Sequence, residues 1–113
     1  MTNIDGVYRV DILGTFGWES FSTAFIDGGA FRSASAEHFT EGTCSVADGG
    51  FQMEGSLTQF DDNRVLFGRK NLKGLPIKFR GEIHDDVIDG VAKLTHGGRH
   101  SLRFRLARLS ALN

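Results

Sequence analysis

The sequence predicts an all-β protein, a small up-and-down antiparallel β-barrel of about eight strands. Three observations predict it. Across residues 75–109 apolar and charged side chains alternate with a period of two, the pattern of strands buried on one face. Fifteen glycines and one proline are spread along the 113 residues, which suits short strands joined by tight turns and leaves no linker between domains. An open sheet of that many strands would expose two unpaired edges, and closing it into a barrel removes both.

Taken in order, the first strand is Val7–Leu13, with Tyr8, Val10 and Ile12 alternating against Arg9 and Asp11 after the break at Asp5-Gly6. A Phe16-Gly17 turn leads into a second strand around Trp18–Ile26, in which Glu19, Phe21, Thr23 and Phe25 share a face. Asp27-Gly28-Gly29 is a turn signal. A third strand follows over Ala30–Ser35, then a short helical turn at Ala36–Phe39 and a fourth strand at Thr40–Val46, closed by Asp48-Gly49-Gly50. Phe51, Met53, Gly55 and Leu57 form the inner face of a fifth strand, Asp61-Asp62-Asn63 turns the chain, and Val65–Phe67 returns as a sixth. The basic loop at 68–74 leads into the last three strands.

Those last strands carry the firmest pattern. Ile77, Phe79, Gly81 and Ile83 alternate with Lys78, Arg80, Glu82 and His84. A two-residue turn at Asp85-Asp86 pairs Ile83 with Ile88, Gly81 with Gly90 and Phe79 with Ala92, so that the apolar faces match. The same register sets Glu82 against Asp89 and Lys78 against Lys93, two like-charge pairs that oppose it mildly. A three-residue loop at Gly97–Arg99 then places Leu94 opposite Leu102 and Ala92 opposite Phe104, with Leu102, Phe104 and Leu106 inward and Ser101, Arg103 and Arg105 outward.

The chain is one domain by length, residues 1–113, and at 40% hydrophobic with ten phenylalanines it can build a core. Cys44 is the only cysteine, so no intrachain disulfide forms. It reads as a small strand residue, with no neighbouring cation in the sequence to activate its thiol. The first ten residues lack a basic segment followed by an apolar run, and no run approaches membrane-spanning length; a soluble cytoplasmic protein is expected. Charge is unevenly divided, with two basic and ten acidic residues in 1–63 but eleven and four in 64–113, so the barrel should present an acidic and a basic side. The basic residues are not interleaved with exposed aromatics, which favours a dipolar surface over a nucleic-acid face.

The segments "DGVYRVDI" (5–12) and "FIDGG" (25–29), with the closing series of hairpins, resemble the GrlR family, bacterial negative regulators of type III secretion. The order Ile83, Asp85, Asp86, Ile88, Gly90 is also similar to the hairpin of lipocalin-like barrels. The resemblance implies a lipocalin-like, calycin-type barrel that regulates by binding another protein, such as a transcriptional activator. In that family an exposed acidic cluster after the fourth strand is implicated in partner binding. The equivalent segment here is Val46-Ala47-Asp48-Gly49, which carries a single acid.

Catalysis finds little support. Asp61-Asp62 and Asp85-Asp86 fall in turns, where aspartate is favoured for backbone reasons and stays solvated. No G-x-S-x-G elbow is present, and the glycine pairs lack the strand-to-helix setting of a phosphate loop. The strongest constellation is His96 opposite His100 at one barrel mouth, but two histidines fall short of the three or four ligands of a zinc site, so no metal or other cofactor is expected.

Two functions follow. The first is a non-enzymatic regulatory protein, working as a symmetric homodimer through the outer faces of the last three strands, where Val87 and Val91 interrupt a charged row; Val46 and Asp48 are the further candidate contacts. The alternative is a carrier of a small apolar, lipid-like ligand, with Tyr8, Phe51, Phe79, Phe104, His96 and His100 lining a space left by Gly55, Gly81, Gly90 and Ala92. Against it, ten phenylalanines are enough to fill that same space.

Overall fold

A computed structural model describes residues 3–60, 66–67, 72–95 and 100–111. Eight strands form a closed antiparallel barrel in chain order: β1 (Gly6–Gly14), β2 (Gly17–Asp27), β3 (Ala30–Ala34), β4 (His38–Ala47), β5 (Gly50–Gln59), β6 (Leu75–His84), β7 (Val87–Leu94) and β8 (Ser101–Ala111). β8 pairs back onto β1, so no strand is left with an open edge. This is the all-β, up-and-down, lipocalin-like architecture expected from the alternation and the turns.

The turns form where the sequence supplies residues for them. Gly28-Gly29 and Asp48-Gly49 occupy the left-handed region throughout, with φ of 57° and 88° in the first and 55° and 76° in the second. Asp85 adopts φ 54° in the two-residue β6–β7 turn, a conformation aspartate tolerates through its short polar side chain. Two cross-strand glycine pairs have a different cause. At Gly42–Gly55 and Gly81–Gly90 the paired backbones approach so closely that a methyl on Gly42 or Gly90 would lie 2.0 Å from a carbonyl oxygen of the facing strand.

Both barrel ends are closed. At the end carrying the Gly28-Gly29, Asp48-Gly49 and Asp85-Asp86 turns, the N-terminal segment crosses the mouth. The buried Tyr8 hydroxyl donates to the Ile4 carbonyl at 2.5 Å, Arg108 donates to the Asn3 carbonyl, and Gly28 N–H donates to Asp5 Oδ1 at 3.2 Å. At the other end Leu66, Phe67 and Leu72 are buried, and the last β5 residue, Gln59, exchanges bonds with Leu72.

Four expectations are corrected. In β2, Ser22 opposes Val10 while Ser20 opposes Asp11, so Phe21 is an extra residue in a bulge. The bulge flips the phase: Phe21, Ser22, Ala24 and Ile26 are buried, whereas Thr23 and Phe25 point outward. No helical turn forms at Ala36–Phe39; a bend at 36–37, in which the Ser35 hydroxyl accepts from the amides of Glu37 and His38, leads into β4, which already begins at His38. Leu66 makes only a single bridge and Phe67 lies in a turn, so these apolar residues plug the mouth instead of forming a strand; Val65 and Asp61-Asp62-Asn63 lie outside the described residues. Finally, β8 is shifted by two residues from the expected pairing: Ala92 faces Leu102 and Gly90 faces Phe104. Gly97–Arg99 lie outside the described residues, but Lys93 opposite Ser101 is incompatible with the three-residue loop expected there.

Candidate functional site

The barrel interior is nearly full. Tyr8, Phe51, Phe79 and Phe104 are all buried within it. Phe79 stacks edge-on against Phe51 (5.8 Å between centroids) and Phe104 (6.3 Å), and Phe104 meets Phe21 edge-on at 5.1 Å. The space left is a cavity of about 40 Å³, bounded by Phe79 and Phe104 on one wall and by Ser33 and Thr40 on the other; Tyr8 and Phe51 belong to the core but not to its lining. That volume is far below the roughly 300–1,000 Å³ of a ligand pocket. The inward glycines thus serve close strand approach more than hollow space.

The interior also holds polar groups that alternation alone did not single out. Ser22, Ser33, Thr40, His38 and Gln59 are all buried, on the β2–β5 side, and His38 stacks on Phe21 at 4.6 Å. The only cue for Ser22 is the β2 bulge, which a period-two reading cannot see.

Of the expected histidine pair only His100 lies among the described residues. His100 is exposed, and the β7–β8 register leaves it level with Leu94 rather than His96; His96 itself lies outside the described residues. Among the described residues no three His, Cys, Asp or Glu side chains gather as a metal cluster. Burial, with a smaller contribution from the Asp5 carboxylate, pushes the Cys44 thiol up to about 11, so it is protonated and unreactive at neutral pH. Burial also raises the Tyr8 phenol, against a hydrogen bond from Arg108.

Outside, the expected contact residues separate into two places. Val46 and Asp48 are exposed at the β4–β5 turn, on the rim of the end that the N-terminal segment closes. Val87 and Val91 are half-buried on the outer face of β7. Around them β6 and β7 form a grid, because cross-strand partners share a row: Lys78 with Lys93, Arg80 with Val91, Glu82 with Asp89, and His84 with Val87. β5 and β8 extend the rows, adding Glu54 and Ser101 to the first, Gln52 and Arg103 to the second, and Gly50 and Arg105 to the third.

This outer face is concave on either side of the Arg80–Val91 row. One trough of about 390 Å³ lies over Lys78, Arg80, Val91 and Lys93, and a second of about 430 Å³ lies over Arg80, Glu82, Asp89, Val91 and Arg103, with the Gly81 and Gly90 backbones as its floor. Its charges are only loosely neutralised. Lys78 reaches Glu54 at 3.4 Å, Glu82 reaches His84 at 3.1 Å and Asp89 reaches Arg103 at 3.2 Å, all pairs of the solvent-screened kind. Arg105 is drawn away over the face of Trp18, 4.1 Å from the ring centre.

No helix among the described residues is long and apolar enough to cross a membrane. No family model matches the chain, and no curated protein matches it. The filled interior and the zoned outer face of β6–β8 are therefore the features on which a functional reading rests.

Proposed function

We propose that this protein is a non-enzymatic regulator that acts by contacting another protein, as the GrlR-like negative regulators of type III secretion it resembles do, and that it works in the cytoplasm as a homodimer. The observation that carries this reading is the contrast between inside and outside. The barrel interior leaves about 40 Å³, whereas the outer face of β6–β8 carries two open troughs lined by charged side chains. Such a surface suits recognition of a macromolecule better than enclosure of a small one.

The test is recovery of a stoichiometric protein partner from the source cells by the tagged chain. A stoichiometric partner of different sequence held by the wild type supports the reading; recovery of the chain with no other protein speaks against it. The second reading, a carrier of a small apolar molecule, draws on the apolar wall of Phe79, Phe104, Ile77 and Leu106 around the interior cavity. It requires that cavity to expand several-fold by displacing the Leu66–Phe67 plug.

A further inference from the structure

The like-charge pairs on the outer face are unfavourable within a single chain. Lys78 lies directly opposite Lys93, and two rows further along the same two strands Glu82 lies directly opposite Asp89. Rows on one sheet face are about 6.8 Å apart, so the basic and acidic pairs are separated by about 14 Å, with Arg80 and Val91 midway. A ribbon that is basic at one end, acidic at the other and centred on a valine is complementary to itself. Turning a second copy by half a revolution about an axis along the Arg80–Val91 row lays its acidic row over the basic row of the first.

Resting on the reading of the chain as a dimer, we propose that β6 and β7 form an isologous interface in which Lys78 and Lys93 of each copy face Glu82 and Asp89 of the other, with Val91 meeting its symmetry mate on the two-fold axis. The flanking strands fit the same operation. It sets Glu54 over Gly50 on the β5 side and Ser101 over Arg105 on the β8 side, so at the edges of the basic and acidic rows no like charges meet. His84 and Val87 fall over the uncharged Pro76 and Thr95. The troughs on either side of the central row give the opposing side chains room. Two contacts in the central row oppose the arrangement: Arg80 meets Arg80, at a position where the Glu82 carboxylates of both copies lie one row away. Arg103 also meets its mate, but its guanidinium already leans onto Asp89 at 3.2 Å.

The face spans only two to four strands, at the small end of specific interfaces, so the dimer forms reversibly at high protein concentration and weakens with salt. The existing pairs of Lys78, Glu82 and Asp89 persist as the inner arms of intermolecular networks.

Charge exchange tests the register. One variant, Lys78→Glu with Lys93→Asp, is acidic at both ends of the ribbon; the other, Glu82→Lys with Asp89→Lys, is basic at both. Sedimentation equilibrium at about 50 mM and about 500 mM salt should show the wild type dimerising more tightly at the lower salt. Each variant alone should lose at least about tenfold in affinity, and an equimolar mixture should restore a heterodimer. Circular dichroism melting confirms that the barrels are intact. Adding Val91→Glu to both variants should abolish the heterodimer, whereas Thr23→Glu, exposed on β2 across the barrel, should not, which separates a defined axis from general attraction between opposite charges. A wild-type dimer that the exchanges leave equally tight overturns the proposed register while the dimer reading stands. A wild type that stays monomeric at about 100 μM in low salt overturns both, and retention of an oligonucleotide or a poly-glutamate peptide by the Lys78–Lys93 row would then give that face to an anionic partner.

Discussion

Replacing Gly90 by alanine examines the barrel where its backbone is most tightly drawn. A Cβ at this position would lie 2.0 Å from the Arg80 carbonyl oxygen and 2.4 Å from the Gly81 Cα, both on the facing strand and neither able to swing aside. Ordinary carbon contacts sit at about 3.5–4.0 Å, so β6 and β7 must part locally by about 1 Å or more. Overpacking of that kind costs about 1–3 kcal/mol, and weakening two ladder hydrogen bonds beside it adds about 1 kcal/mol each, giving about 3 kcal/mol or more in total. Gly28→Ala is the matched comparison. Gly28 has φ 57° but nothing within 4 Å of an added methyl, so only the left-handed backbone is penalised, by about 1–2 kcal/mol. In urea unfolding followed by Trp18 fluorescence, Gly90→Ala should lower the midpoint by about 1–3 M, clearly more than Gly28→Ala. A Gly90→Ala protein within experimental error of wild type, or less affected than Gly28→Ala, would refute the close-approach account of the paired glycines.

Three further outcomes are expected. Tyr8→Phe removes a buried hydroxyl that donates to the Ile4 carbonyl and accepts from Arg108 at 3.4 Å, and should destabilise the barrel by about 1–2 kcal/mol in the same assay while speeding amide exchange in residues 4–6. Phe79→Ala should cost about 3–5 kcal/mol and enlarge the apolar cavity enough for uptake of benzene, read as a rise in melting temperature with the probe present. Stability should also fall in alkali. Cys44 and Tyr8 both have folded-state values raised by burial, so the folded protein holds protons that the unfolded chain releases. Their stabilising contribution is complete below the ordinary Cys value of 9.0 and is lost as pH rises toward about 11, so the urea midpoint should be level near neutrality and drop above pH 9.0. Cys44→Ala should lessen that drop; a midpoint that rises over this range contradicts the sign.

Much of the fold was legible because burial on one face forces alternation. The β6–β7 hairpin was readable to the residue: matching Ile83 to Ile88 and Phe79 to Ala92 leaves one register for a turn as short as Asp85-Asp86. The β7–β8 hairpin was not, because a slip of two residues keeps Leu102, Phe104 and Leu106 inward, and the apolar pattern fits either pairing. The bulge at Phe21 escaped for a related reason, since an extra residue reverses the phase of the strand on one side of it and Phe25 is apolar although it faces solvent. Leu66 and Phe67 look like strand residues because a short apolar run is the same signal whether it pairs in a ladder or plugs a mouth.

The candidate face was half visible. Its two like-charge pairs follow from the predicted hairpin, where they look like small defects of the register. Their meaning depends on the observed neighbours: Ser101, Arg103 and Arg105 continue the three rows only because β8 sits two residues from the expected pairing. The expectation of His96 opposite His100 rested on the three-residue-loop register, which the observed pairing of Lys93 with Ser101 does not share; His96 lies outside the described residues.

A protein that works through its outer surface has an interior occupied by its own side chains. Native mass spectrometry of untagged protein, purified from its source cells without detergent, measures this directly. The account predicts a polypeptide of 12.4 kDa per subunit with no additional mass beyond water. A stoichiometric lipid or other small apolar molecule carried through purification would contradict it, and would return the function to the inside of the barrel.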